Sequence, residues 1–201
     1  MTLLRNLPLF IFELSLLSLF VGCLQKPRTT PFYIDLNDGI TVKIDNREIP
    51  SPDVYPFLAS SKWVSSEPQV VFTNGRNLTF EYVHNIQCQC SMRGFWSYAF
   101  KEKAISIPVI FGVIDEYHIS TESISTESIN LQILENCFWC QEVAFTNETE
   151  FLDAVVNLLS FTNPTAIQII CSRNSKHSLL LDTLLFISST KISCEIFIVL
   201  Q

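Results

Sequence analysis

The sequence predicts an α+β protein: two tandem β-β-α-β-α-β repeats behind an N-terminal signal or anchor segment. Three observations predict it. Short stretches alternate apolar and polar residues and are parted by turn dipeptides, which is the pattern of half-buried strands. Stripes at helical spacing follow them. The closing stretch, Ala166 to Leu200, also lies over Gln69 to Lys103 without a gap when it is moved back by 97 residues. That shift sets Val70 on Ile167, Ala99 on Ile196, Phe100 on Phe197 and Arg76-Asn77 on Arg173-Asn174. Identity is sparse, and the shared order of elements carries the match.

In the first unit, residues 31–103, Phe32, Ile34 and Leu36 alternate with polar neighbours. The chain turns at Asp38-Gly39, and Ile40, Val42 and Ile44 alternate again, so a hairpin with one wet face is expected. Ser51 offers an N-cap with Pro52 at the first helical position. Val54, Phe57, Leu58 and Ser61 then fall at helical spacing, with Pro56 inside the stretch. "QVVFT" reads as a buried strand. Asn74-Gly75 turns the chain, and Tyr82, Val83, Ile86 and Cys90 form a helical stripe before "SYAF" closes the unit.

The run Ile105–Ile114 is too apolar for a linker and extends the last strand or adds an edge strand. Together with "STESISTES", which repeats Ser-Thr-Glu-Ser at 120–123 and 125–128, it forms a joining region, residues 104–128. The second unit, 129–201, repeats the order. "INLQIL" alternates, Glu135-Asn136 turns, and "CFWCQEVAF" reads as one strand. Thr146 or Asn147 caps a helix whose stripe is Phe151, Val155, Leu158 and Leu159, and Asn163-Pro164 stops it. "AIQII", "HSLLLDTLLFI" and "CEIFIVL" follow as strand, helix and strand. Each unit is expected to close its own core with its own sheet. One sheet running through both would sink the repeat of self-closing units, and the family resemblance described below would go with it.

Composition narrows the function. A net charge of −7 and no Lys/Arg run exclude nucleic acid as a main partner. Hydrophobic residues at 48%, with 16 Phe and 5 Gly, describe packed elements rather than a disordered chain. Residues 1–24 carry one early cation, Arg5, then an apolar stretch ending in Phe20-Val21-Gly22-Cys23. This reads as an export signal whose Cys23 is a lipidation candidate, or as an uncleaved membrane anchor. Glu13 inside the stretch is either a protonatable membrane residue or a neutral Glu in a transient signal. The bulk of the chain is then exported, on the periplasmic side of a cell envelope.

Seven cysteines fit an exported protein. Without Cys23, six are candidate disulfide partners: Cys88, Cys90, Cys137, Cys140, Cys171 and Cys194. Six cysteines allow 15 pairings, and the sequence does not choose among them. Cys137 and Cys140 form a C-x-x-C, but within a strand, where residues three apart face opposite sides. A redox pair needs its first Cys at a helix N-terminus. His84, His118 and His177 are scattered, with no nucleophile motif beside them. No catalytic, cofactor-binding or metal residue is assigned, and the chain reads as no enzyme. Asn77-Leu78-Thr79 and Asn147-Glu148-Thr149 match the glycosylation triplet, which matters only in a eukaryotic secretory pathway.

The β-β-α-β-α-β order behind a short membrane segment resembles the periplasmic domain of the ExbD/TolR family of biopolymer transport proteins. Asp38-Gly39 stands at the family's hairpin and Ser51-Pro52 at its helix start. Phe80 and His177 fall at its aromatic position, and Gly94, with Lys191 in the second unit, before its last strand. Asn74 and Cys171 replace its Asp after the third strand. The resemblance implies a non-enzymatic envelope component that binds a partner protein or cell-wall material beside a proton-driven transport motor. A homo-oligomer is also among the partners considered. Glu13 lies near the family's proton-carrying acid. The alternative is a secreted, disulfide-stabilised protein with thiol chemistry at Cys137 and Cys140.

Overall fold

A computed structural model describes residues 31–62, 69–112 and 128–201. They form a mixed α/β structure of four α-helices and one mixed sheet of eleven strands. The first half contains β1 (Phe32–Asp35), β2 (Thr41–Ile44), β3 (Arg47–Pro50), helix α1 (Val54–Ser60), β4 (Gln69–Thr73), α2 (Phe80–Met92) and β5 (Ser97–Glu102). Strand β6 (Ile105–Gly112) comes next. The second half contains β7 (Ser128–Ile133), β8 (Phe138–Cys140), β9 (Val143–Phe145), α3 (Glu148–Phe161), β10 (Ala166–Cys171), α4 (His177–Ser189) and β11 (Glu195–Leu200).

The alternating patterns place their apolar residues inside. Phe32, Ile34, Val42 and Ile44 are buried in the first half, and Ile129, Leu131 and Ile133 in the second. Val83, Ile86 and Cys90 form the buried stripe of α2, and Phe151, Val155 and Leu159 that of α3. All of these join one core cluster between the sheet and the helices. Helix α3 begins as its sequence demands: Asn147 Oδ1 accepts from the Thr149 and Glu150 amides, at 2.8 and 3.4 Å.

Several expectations need correction, three of them local. Each half carries a three-stranded meander, not a hairpin. Asp45 and Asn46 adopt φ of 49° and 64°, the left-handed pair of a tight hairpin turn, and fold Arg47–Pro50 back as β3. "CFWCQEVAF" likewise breaks at Gln141, with φ 56°, into β8 and β9. Ser51 does not cap α1. It opens a single 3₁₀ turn, Ser51–Asp53, and its hydroxyl bonds the Ile40 carbonyl and meets the Tyr82 hydroxyl instead.

The largest correction concerns the sheet. It is continuous, in the order β3-β2-β1-β4-β5-β6-β11-β10-β7-β8-β9. The halves therefore share one sheet, and they are not two self-closing units. The residues that join them are those of β6, which is central and not an edge strand. It pairs antiparallel with β5, Tyr98 opposite Val109, and parallel with β11, Phe197 opposite Ile110. An apolar strand such as Ile107–Phe111 is most stable with neighbours on both sides.

Within the sheet, the strand order 3-2-1-4-5 is matched by 9-8-7-10-11. Val70 lies between Phe32 and Tyr98, and Ile167 lies between Ile129 and Ile196. Val70 and Ile167 hold equivalent places, and so do Phe32 and Ile129. The last strands slip: Ile196 holds the place of Tyr98, not of Ala99. The loop from α4 to β11 is one residue longer than the loop from α2 to β5. The helices themselves end alike, since Gly94 (φ 97°) and Lys191 (φ 58°) both adopt the left-handed conformation that closes a helix.

Gly75 in the β4–α2 loop has φ +78°, and an added Cβ would stand 2.8 Å from Leu36 Cβ. Gly75→Ala is expected to destabilise the protein by about 2 kcal/mol or more, from strain and overpacking together. A urea titration checks this: the midpoint falls while the slope stays unchanged.

Candidate functional site at the seam between the halves

The first amides of a helix have no partner within it. Neither Thr79 before α2 nor Lys176 before α4 caps with its side chain. Each helix is capped instead by backbone from the other half. The Phe80 and Glu81 amides donate to the Ser175 and Arg173 carbonyls, at 2.8 and 3.0 Å. The His177 and Ser178 amides donate to the Leu78 and Arg76 carbonyls, again at 2.8 and 3.0 Å. A β-bridge between Thr79 and Lys176 sits between the two pairs. Every donor and acceptor in one half has its counterpart 97 residues away in the other.

Side chains reinforce the crossing. Arg76 Nη2 donates to both carboxylate oxygens of Asp182, at 2.5 and 2.7 Å, and Nη1 donates to Glu102 at 3.3 Å. The bond to Asp182 holds the guanidinium in its charged form. Burial and the nearby Asp182 raise the Glu148 carboxyl above its ordinary value. His177 is fully buried here, where the first half has the buried Phe80. Its Nδ1 lies 3.2 Å from the Gly75 carbonyl, its ring packs 5.0 Å from Phe100, and its Nε2 has no hydrogen-bond partner.

A second place where the halves meet is a groove of about 310 Å³ at the starts of β5 and β11, after α2 and α4 have ended. It is lined by Trp96, Ser97 and Tyr98 from the first half, by Cys194, Glu195 and Ile196 at the matching places of the second, and by Pro108 to Ile110 of β6. The register explains it. β5 and β11 flank β6 together only at their first residues, since β5 pairs with β6 from Tyr98 to Glu102 and β11 pairs with it from Phe197 onward. Trp96 is 74% exposed and Ile110 41%, so the groove presents apolar surface to solvent. The lining is mostly apolar, with the Cys194 thiol and the Glu195 carboxylate among its residues.

The cysteines expected from the sequence are spread over the fold. Cys88 and Cys90 lie on α2, the former half-buried and the latter buried. Cys137 sits in the turn ahead of β8 and not in the strand; Cys140 ends β8 and is buried. Cys171 ends β10, fully buried, and Cys194 lines the groove. All six are free thiols, and burial pushes Cys90, Cys140, Cys171 and Cys194 up from the ordinary thiol value. Cys140 is followed by a turn into β9, so no helix begins at the C-x-x-C. Glu13 and Cys23 lie outside the described residues, as does His118. Among the described residues no helix is long and apolar enough to cross a membrane, and no three His, Cys, Asp or Glu side chains gather as metal ligands.

The groove escaped sequence reading because nothing in "GFWS" or "SCEI" shows that the two lie side by side. One signal was present: Arg76-Asn77 and Arg173-Asn174 align in the repeat, and they mark the loops that cap each other. The chain matches no protein-family model, no curated protein and no solved structure.

Burial lowers His177 from 6.5 to about 4. The unfolded chain therefore takes up this proton first as pH falls. The stability tied to neutral His177 is complete above pH 6.5 and is lost as pH drops towards about 4. The full loss is about 3 kcal/mol. Replacing His177 with the Phe that fills the equivalent place should flatten this part of the profile. Urea unfolding of both proteins from pH 7 to pH 4 measures the difference.

Proposed function

We propose that the chain is a non-enzymatic component of a cell envelope, exported and held at the membrane by its N-terminal segment. Its halves repeat one order of elements across a shared sheet; that order resembles the ExbD/TolR periplasmic domain, and the halves depart from it in that neither closes a sheet of its own. It binds a partner protein or cell-wall material at the groove, as an accessory to transport driven by the proton-motive force. The observation that carries this reading is the groove's lining. Three consecutive residues from each half and the middle of β6 meet around exposed Trp96 and Ile110. Large aromatic side chains in a partly enclosed, mostly apolar cleft are characteristic of binding surfaces. The matched strand orders and the four reciprocal backbone bonds support the kinship of the halves. The expectation of separate sheets is withdrawn, because β6 joins them.

The thiol alternative has less support. Its two cysteines flank a short strand, with Cys140 buried and its thiol pushed up, the opposite of what a reactive thiol requires.

Two measurements in the full chain test the proposal. Membrane fractionation with lipid labelling should place the wild type at the envelope, and Cys23→Ala should remove the label. A photocrosslinking residue in place of Trp96 should capture an envelope component, while the same residue in place of Phe161, 87% exposed and away from the groove, should not. A chain found in the cytosol, or equal capture at both positions, overturns the reading.

A further inference from the structure

The groove at the starts of β5 and β11 has a floor and a rim of different character. The floor is Tyr98, Val109 and Ile196, buried side chains of three adjacent strands that belong to the core shared with the helices. Neighbours along a strand face opposite sides. Ser97, Pro108, Ile110 and Glu195 therefore form a rim on the face away from the helices, and all four are exposed. Trp96, the most exposed of the lining residues named, stands beside them. The halves contribute unlike groups: where the first has Trp96 and Ser97, the second has Cys194 and Glu195.

Two groups of this lining find no partner among the described residues. The carboxylates in ion pairs there are Glu81, Glu102 and Asp182, and Glu195 is not one of them. The cations nearest in sequence to Trp96 are engaged elsewhere: Lys101 lies over the Tyr33 ring at 5.1 Å, and Arg93 Nε donates to the Leu58 carbonyl at 3.3 Å. The Trp96 indole thus shows a bare face to solvent. An indole face attracts a cation through its quadrupole, and a carboxylate attracts the same cation by its charge. An unpaired acid and an uncovered indole in one groove define a site for a single positive group.

We infer that the groove receives an arginine side chain of a partner protein, its guanidinium stacked on Trp96 and paired with Glu195, with an adjoining apolar residue on Pro108 and Ile110. This rests on the reading of the groove as the binding site and names the partner's chemistry. Arginine suits the lining better than lysine. Its guanidinium is planar and weakly hydrated, stacks on aromatic faces and presents a fork of N–H donors to a carboxylate. A volume of about 310 Å³ stands at the bottom of the range of about 300 to 1,000 Å³ for ligand pockets. The groove therefore admits side chains of an extended segment and not a bulky cofactor. The net charge of −7 steers basic partners towards the protein.

The test follows the indole N–H signals of the three Trp residues by NMR in the full-length chain held in lipid nanodiscs, with Trp96→Phe assigning its signal. The probes are the capped peptide acetyl-Val-Thr-Arg-Thr-amide and the same peptide with citrulline, the neutral isostere, in place of arginine. The arginine peptide should shift the Trp96 signal saturably and bind about tenfold or more tightly than its citrulline counterpart. Glu195→Gln should erase that difference, and Glu195→Lys should favour a peptide carrying glutamate instead. Phe161→Ala, away from the groove, should leave the preference unchanged. Should a variant fold poorly, the comparison of the two peptides on the wild type decides alone. No shift of Trp96, equal binding of the two peptides, or a preference that survives Glu195→Gln overturns the proposal. A shift produced by a soluble cell-wall glycan and not by the arginine peptide also overturns it, and leaves the groove a binding site for cell-wall material. A Trp96 signal that moves on Arg28→Gln with no peptide present assigns the groove to the chain's own arginine and overturns a partner as occupant. Failure here together with crosslinked capture at Trp96 leaves the envelope reading standing. Arginine-selective binding by a chain found in the cytosol keeps this site and removes that reading.

Discussion

The structure depends on the exchange of four backbone hydrogen bonds where α2 and α4 begin. A helix N-terminus presents orphan N–H groups and partial positive charge. Two such ends meeting at a seam would repel each other and leave buried amides unpaired, at a cost of about 1 to 3 kcal/mol each. The loops 75–79 and 172–176 resolve both problems by bringing carbonyls from each half onto the helix of the other. Phe80 and His177 are thereby locked beneath the seam, and the Arg76–Asp182 pair closes over it. Neither half satisfies these groups alone, so the seam is part of the fold and not a later contact.

The second constraint is β6. It is the one strand without a counterpart in the matched orders, and it occupies the middle of the sheet. Its antiparallel bond to β5 and parallel bond to β11 set the two halves in opposite strand directions. They also stagger β5 against β11, and the stagger opens the groove at their shared start. The groove beside Trp96 therefore has its origin in the register of a single strand.

The meander corrections show where sequence patterns run out. "CFWCQEVAF" carries enough apolar residues to read as a single strand, and after Ile44 the short stretch Arg47–Pro50 has one apolar residue, Ile49, ahead of Pro50, too little to read as a third strand. The two breaks rest on left-handed residues at Asp45, Asn46 and Gln141, and of these only Asp45-Asn46 has the residue types of a turn. The one-residue slip of β11 against β5 was hidden for a related reason. A gapless alignment cannot register a longer loop after Lys191, although the two faces of a strand exchange with every such step.

The sequence by itself determined most of the elements, though not β3 or the break between β8 and β9, together with the inward residues of those elements and the matching order of the two halves. Those follow from local periodicity, because a residue's neighbours along the chain decide which face it shows. The joining of the halves through β6, the reciprocal caps, the burial of His177 and the placing of Trp96 beside Cys194 belong to the tertiary structure. Each depends on residues about a hundred positions apart meeting in space, and that meeting is settled by strand register and by amides that must find a partner.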